Sequence, residues 1–280
     1  MSGTEAKVKL ALWQATPTNG RIEAAFSALC TQLRAAAAAG AKLLVAPELF
    51  LPGYNRPDLH ATLAQTIDGA WISRLRAMAA ETGCGICLGW AERDRDAVYN
   101  ATTTIGPDGA ILGHYRKIQL YGPMERASFA QGKTLCPVFA FEGHRVAMLV
   151  CYDIEFPEHA RALAQAGAGL ILVPTANPVG FEHVQRVFVP ARAAENDVVV
   201  AYANLVGTET DLTFGGLSVI AGPDGGPLAM AGPRGEALLV VDLMATATIP
   251  AELRSTQSQD CRPDARYSSG EGRLTVLALK

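Results

Sequence analysis

The chain has 280 residues, 49% hydrophobic and 18% charged, enough apolar material for one large core or two ordinary domains. A net charge of −3 and a pI near 6.0 leave no basic footprint for nucleic acid. No apolar stretch reaches membrane-spanning length, and the first residues, MSGTEAKVKLALWQ, carry charge where a signal peptide needs an apolar run. The expectation is a soluble cytoplasmic protein whose six cysteines are mostly buried, reduced thiols.

In chain order, VKLALWQ (8–14) reads as a strand buried on both faces. A helix follows over 21–39, its apolar face formed by Ile22, Phe26, Leu29 and Leu33 and its end marked by Gly40. KLLVAPE (42–48) is a second strand, 69–82 a second helix and GICLGWAE (85–92) a third strand. A Pro-Asp-Gly hairpin turn then lies within IGPDGAILG (105–113).

The second half repeats this order. VAMLVCY (146–152) parallels the first strand, and a helix over 157–166 has Pro157 in its first turn and Glu158 at its positive end. LILVPTA (170–176) follows, then a helix over 184–195 that Pro190 either kinks or begins, then VVVAYANL (198–205). Gly106-Pro107-Asp108-Gly109 recurs as Gly222-Pro223-Asp224-Gly225. Two βαβ-rich halves with buried strands imply one α/β domain over 1–280, with two sheets face to face and helices outside.

Polar residues close several of the apolar runs. Glu48 ends KLLVAPE, Lys117 follows the first hairpin, and Cys151 ends VAMLVC. Strand ends are where α/β folds place their sites. The second half lacks counterparts of Glu48 and Lys117 yet holds the thiol, which fits one site assembled from both halves. A thiol needs a base or a cation to act as a nucleophile at neutral pH. Glu48 could be that base if burial raises its pKa, and Lys117 could stabilise an oxyanion. Strand-end salt bridges and an inert cysteine are the competing reading.

Cys84-Gly-Ile-Cys87 has CxxC spacing but leads into a strand and has no second pair, so zinc or redox chemistry gains little. A Cys–His pair with His159 is a further alternative. No GxGxxG or P-loop pattern opens a helix, so nucleotide binding has no support.

The blocks LLVAPELFLPGYN (43–55), HYRKIQLYGPMERASFAQG (114–132), CYDIEFPEHARALAQAGAGLILVPTANP (151–178), ARAAEN (191–196) and GGLSVIAGPDG (215–225) together resemble the nitrilase superfamily of carbon–nitrogen hydrolases. The resemblance implies a four-layer αββα sandwich with internal duplication that commonly pairs into a homodimer. It implies a Glu48–Lys117–Cys151 triad and a supporting Glu125, with no metal or cofactor. Tyr152, through its backbone N–H, is expected to help hold the oxyanion, and Tyr54, Tyr152, Glu155 and Asn177 to line the substrate site. The implied reaction is hydrolysis of a small aliphatic amide to acid and ammonia. CYDIEFPE, ILVPTAN, YAN and GPDG-PLAMAG make the branch acting on small ω-amino amides the nearest likeness, and Glu155, standing where branches that bind a substrate carboxylate tend to carry arginine, points away from acidic substrates. A nitrilase, an N-carbamoyl amide hydrolase and a non-catalytic binding protein on this fold are the alternatives. Asp153 reads as a turn residue, and Glu155 as a pocket residue or the partner of Arg161 or Arg192. The tail at 261–274 resembles the family's C-terminal segment only loosely, too little to imply a role in dimer contacts.

Overall fold

A computed structural model describes residues 8–260; the C-terminal segment at 261–274 lies outside them. The first half runs β1 (Lys9–Gln14), α1 (Ile22–Ala38), β2 (Ala41–Val45), α2 (Pro57–Leu63), α3 (Ala70–Thr82), β3 (Gly85–Asp94), β4 (Ala97–Ile105), β5 (Ile111–Arg116) and α4 (Gly122–Ser128). The second runs β6 (Phe139–Phe141), β7 (His144–Met148), α5 (Pro157–Gln165), β8 (Leu170–Pro174), α6 (Val189–Asn196) and β9 (Val199–Ala203). It closes with β10 (Val206–Glu209), β11 (Leu212–Gly215), β12 (Val219–Ala221), β13 (Pro227–Met230), β14 (Ala237–Asp242) and α7 (Gln257–Asp260).

Two six-stranded sheets form, ordered β14-β1-β2-β3-β4-β5 and β6-β7-β8-β9-β12-β13, while β10 and β11 pair as a separate ribbon. The two orders superpose strand for strand. In each, an antiparallel edge strand precedes three parallel strands, and an antiparallel hairpin ends the sheet. The two hairpin turns are built alike. Gly109 and Gly225 both have φ of +79°, and Asp108 and Asp224 each accept a bond from the amide two residues on, at 2.9 and 3.0 Å. These glycine-rich turns are therefore structural.

Strand alternation explains the apolar runs. Leu10 and Leu12 of β1 and Leu43 and Val45 of β2 pack toward the second sheet. Ala11, Trp13, Leu44 and Ala46 pack under α1 and α3. Both faces are buried over most of each strand, and the exposed positions, Lys9 and Lys42, fall at the strand starts. The same alternation separates Cys84, on the helix side, from Cys87, between the sheets. Both thiols are buried and pushed up to about 11 by desolvation, which leaves them inert.

The expected helices at 21–39, 69–82 and 157–166 appear within a residue of their bounds. The expected helix at 184–195 is two pieces. A wide turn over Val184–Phe188 precedes α6, and Pro190 occupies the first turn of α6, where its missing N–H costs nothing. The strand expected over 146–152 leaves the ladder after Met148, and Cys151 opens a tight 3₁₀ turn instead. The sequence reading did not anticipate α2, α4, α7, the edge strands β6 and β14, or the β10–β11 ribbon. Among the described residues no helix is long and apolar enough to cross a membrane.

Candidate active site

Glu48 leaves β2 on a chain pressed tightly against β3. A Cβ on Gly89 would meet Glu48 Cα at 2.5 Å and Leu49 N at 2.6 Å, so only glycine admits this approach. Leu49 takes a φ of +44°, a left-handed conformation that aims the preceding carboxylate into the molecule. Lys117 follows β5, its backbone N–H bonded to Asn100 O and its carbonyl to Gly132 N, each at 2.8 Å. Cys151 also has a φ of +44°. Such strain in a non-glycine residue costs about 1–2 kcal/mol and lifts the thiol out of the strand line.

These pieces converge. Lys117 Nζ, fully buried, donates to Glu48 Oε1 at 2.7 Å and to Glu125 Oε1 at 2.8 Å. Asn100 Nδ2 adds a second bond to Glu48 Oε1 at 2.7 Å. Tyr54 Oη and the Tyr121 amide hold the two oxygens of Glu125, at 2.8 and 3.1 Å. Glu48 Oε2, by contrast, accepts no hydrogen bond. One oxygen of this carboxylate is thus fixed and the other has no partner.

The electrostatics follow from burial. Desolvation pushes Glu48 up to about 7, with Lys117 opposing and Glu125 reinforcing the rise. Burial alone would depress Lys117, but Glu125, Glu48 and the thiol beside it outweigh that and keep it a cation. Burial drives the Cys151 thiol well above its usual range, with Glu48 adding and Lys117 opposing. The resting site therefore carries a thiol, a lysine cation and a carboxyl poised near neutrality.

Cys151 opens onto a narrow pocket whose walls include Tyr54, Tyr121, Tyr152, Glu155, Asn177 and Phe181. All four expected lining residues, Tyr54, Tyr152, Glu155 and Asn177, are there. Tyr121 meets Tyr152 and Phe181 edge to face, at 5.2 and 5.9 Å between ring centroids. The Asn177 side chain already donates to Phe181 O and Gln185 Oε1, both at 3.0 Å, so its amide hydrogens are spent on the wall. The Glu155 carboxylate pairs with neither Arg161 nor Arg192. Arg192 donates instead to the backbone carbonyls of Ile154 and Glu155, at 3.1 and 2.9 Å. Burial raises Glu155, opposed by His183, Lys117 and Arg192. Asp153 is fully buried and bonded within the turn and beyond it. His159 lies on α5, and its Nδ1 stands 3.9 Å from Asp153 Oδ1.

Asn100 and Tyr121 were not anticipated. Asn100 is an amide in a buried strand, a signal masked by the threonines that follow it in AVYNATTTI. Among the described residues no group of three or more His, Cys, Asp or Glu side chains is arranged to hold a metal ion.

A duplicated αββα sandwich with a thiol beside a buried carboxylate–lysine array places the molecule in the nitrilase superfamily. The carbon–nitrogen hydrolase family model matches residues 9–251, and the chain belongs to that family. The hydrolase in the pqqF 5′ region of Pseudomonas protegens is 44% identical over 205 residues, 72% of each chain. An (R)-stereoselective amidase of Pseudomonas sp. is 37% identical over 202 residues, again 72% of each chain. The amidase of Nesterenkonia sp. AN1, solved with acrylamide as a double mutant, superposes with a TM-score of 0.84 at 35% identity, covering 94% of this chain and 97% of that one. The Nesterenkonia enzyme has also been solved with butyramide and with the acetamide moiety of fluoroacetamide on its active-site cysteine.

Proposed function

We propose that the protein is an amidase that hydrolyses small aliphatic amides through a thioester on Cys151. The observation that carries this reading is the buried array in which Lys117 fixes Glu48 Oε1 while Glu48 Oε2 stays free, beside a thiol at the pocket floor. The ionised Glu48 takes the thiol proton as sulfur attacks the amide carbon. The carbonyl oxygen becomes an oxyanion facing Lys117 and the Tyr152 N–H. Glu48 returns the proton to nitrogen, the C–N bond breaks, and ammonia leaves a thioester. Water then attacks the thioester carbon while Glu48 accepts its proton. Collapse expels the sulfur, which regains that proton, and the carboxylic acid departs.

The pocket supports a finer reading, in which the favoured substrate carries a distal ammonium. Glu155 offers an unpaired carboxylate on the wall, next to the faces of Tyr121, Tyr152 and Phe181, and both features attract cations. The family's habit of pairing supports a homodimer, which light scattering reads directly.

The test is ammonia release from a panel of amides, with mass spectrometry of the protein to catch the acyl adduct. An adduct on Cys151, lost in Cys151→Ala, is the expected result; turnover in that variant overturns the mechanism. Comparing kcat/KM for 5-aminopentanamide, pentanamide and glutaramate tests the finer reading, which fails if the acidic amide is used as well as the basic one.

A further inference from the structure

Asp153 stands two residues past the nucleophile, fully buried, and no step of the proposed chemistry uses it. Its carboxylate nonetheless accepts three hydrogen bonds. Oδ1 takes one from the Gln119 backbone N–H at 2.8 Å, and Oδ2 takes one from Tyr115 Oη at 2.9 Å. Oδ2 takes another from the Val150 N–H at 3.1 Å. The positions of these donors are informative. Tyr115 and Gln119 stand two residues before and after Lys117, and Val150 directly precedes Cys151.

One carboxylate therefore spans the two halves of the molecule. It holds the end of β5 on both sides of the lysine and, with its third bond, the entry to the turn that carries the thiol. Hydrogen bonds to an ionised acceptor are about twice as strong as neutral ones, and no water is needed to satisfy either oxygen. Burial raises the Asp153 carboxyl, while Lys117 and the three donors from Gln119, Tyr115 and Val150 oppose that rise; His159 Nδ1, at 3.9 Å, is beyond hydrogen-bond reach.

We propose that Asp153 is a positioning residue that sets the placement of Lys117 relative to the Cys151 thiol, and so the place where the oxyanion forms. The inference rests on the roles given above to Cys151 and Lys117. An anchor serving only the fold would change how much protein folds, and leave turnover per folded molecule alone.

Two substitutions separate these roles. Asp153→Asn keeps the shape but turns one edge from acceptor to donor, against an N–H or O–H already pointing at it. Tyr115→Phe deletes one uncharged tether and leaves the Asp153 charge in place. A displacement near 1 Å costs about 100-fold in rate, so kcat per folded molecule should fall about 100-fold in Asp153→Asn and about 10-fold in Tyr115→Phe. KM should stay within about threefold, because ground-state binding is untouched. In Tyr115→Phe the pH midpoint for alkylation of Cys151 by iodoacetamide should also rise, since a displaced lysine no longer favours the thiolate. Turnover per folded molecule within about twofold of the parent in both variants, with an unmoved alkylation midpoint, overturns the proposal. If Asp153→Asn does not fold, Tyr115→Phe decides alone by the same criteria. Turnover retained in Cys151→Ala would instead overturn the functional reading on which the proposal stands.

Discussion

In the proposed mechanism Glu48 has to be both fixed and reactive. Its Oε1 is pinned by Lys117 and Asn100 while its Oε2 is free, so rotation is blocked without neutralising the base. Glu48→Gln should keep this geometry and lower turnover about 100- to 10,000-fold, the range for loss of a general base. Lys117→Met should cost about 100- to 1,000-fold through the lost oxyanion donor. Near-parental rates in either variant contradict the assigned roles. Because Glu48 titrates near 7, kcat/KM should fall about tenfold per pH unit below that value and level off above it. The same shift has a stability consequence of opposite sense. The folded state holds this proton more tightly than the unfolded chain, so the contribution is full below the ordinary value of 4.5 and is lost as pH rises through about 7. A thermal midpoint measured from pH 4.5 to 7 should therefore slope less favourably in the parent than in Glu48→Gln; parallel curves would refute the raised value.

At the level of elements, the site depends on how closely strands approach. Gly89→Ala places a methyl group 2.5 Å from Glu48 Cα, a contact with backbone that no rotamer can relieve. Overpacking of this kind typically costs about 1–3 kcal/mol. The displaced carboxylate should cost more in rate than the fold loses in stability. We expect a folded protein with kcat down about 100-fold, and a parental kcat would show that β3 does not set the position of Glu48. Elements differ in how far they can be read in advance. The strands β1, β2, β8 and β9 were legible because both their faces are buried, and their order was legible because the chain repeats it. Glu48, Lys117 and Cys151 stood out as polar residues closing apolar runs. The helices α2 and α4 have seven residues each, too few for a helical period to show. The β10–β11 ribbon has no partner in the first half; Glu209 at its tip reaches the Asn55 amide at 2.6 Å and braces the loop that presents Tyr54. Such a contact between residues far apart in sequence leaves no local pattern.

Across the whole molecule, duplication and asymmetry work together. Of the proposed site, the first half supplies Glu48, Lys117 and Glu125 and the second supplies Cys151 and Glu155, so neither half holds it complete. What joins them is the apolar layer between the sheets, where Leu10, Leu12, Leu43 and Val45 meet Met148, Leu172 and Tyr202 of the other half. The two sheets share this layer, so neither can keep its buried strands if the other opens, and unfolding should be a single transition. Leu12 is fully buried at the sheet-to-sheet face, and Leu12→Ala removes apolar contacts within the layer the two sheets share. Cavity creation of this kind costs about 2–5 kcal/mol. The variant should melt at a lower temperature, yet at a temperature where it is folded its kcat should match the parent's. On heating, loss of amide hydrolysis and loss of near-ultraviolet circular dichroism should coincide in both proteins. Two separated transitions, with one half's tertiary signal lost while hydrolysis continues, would show that the site does not need both sheets.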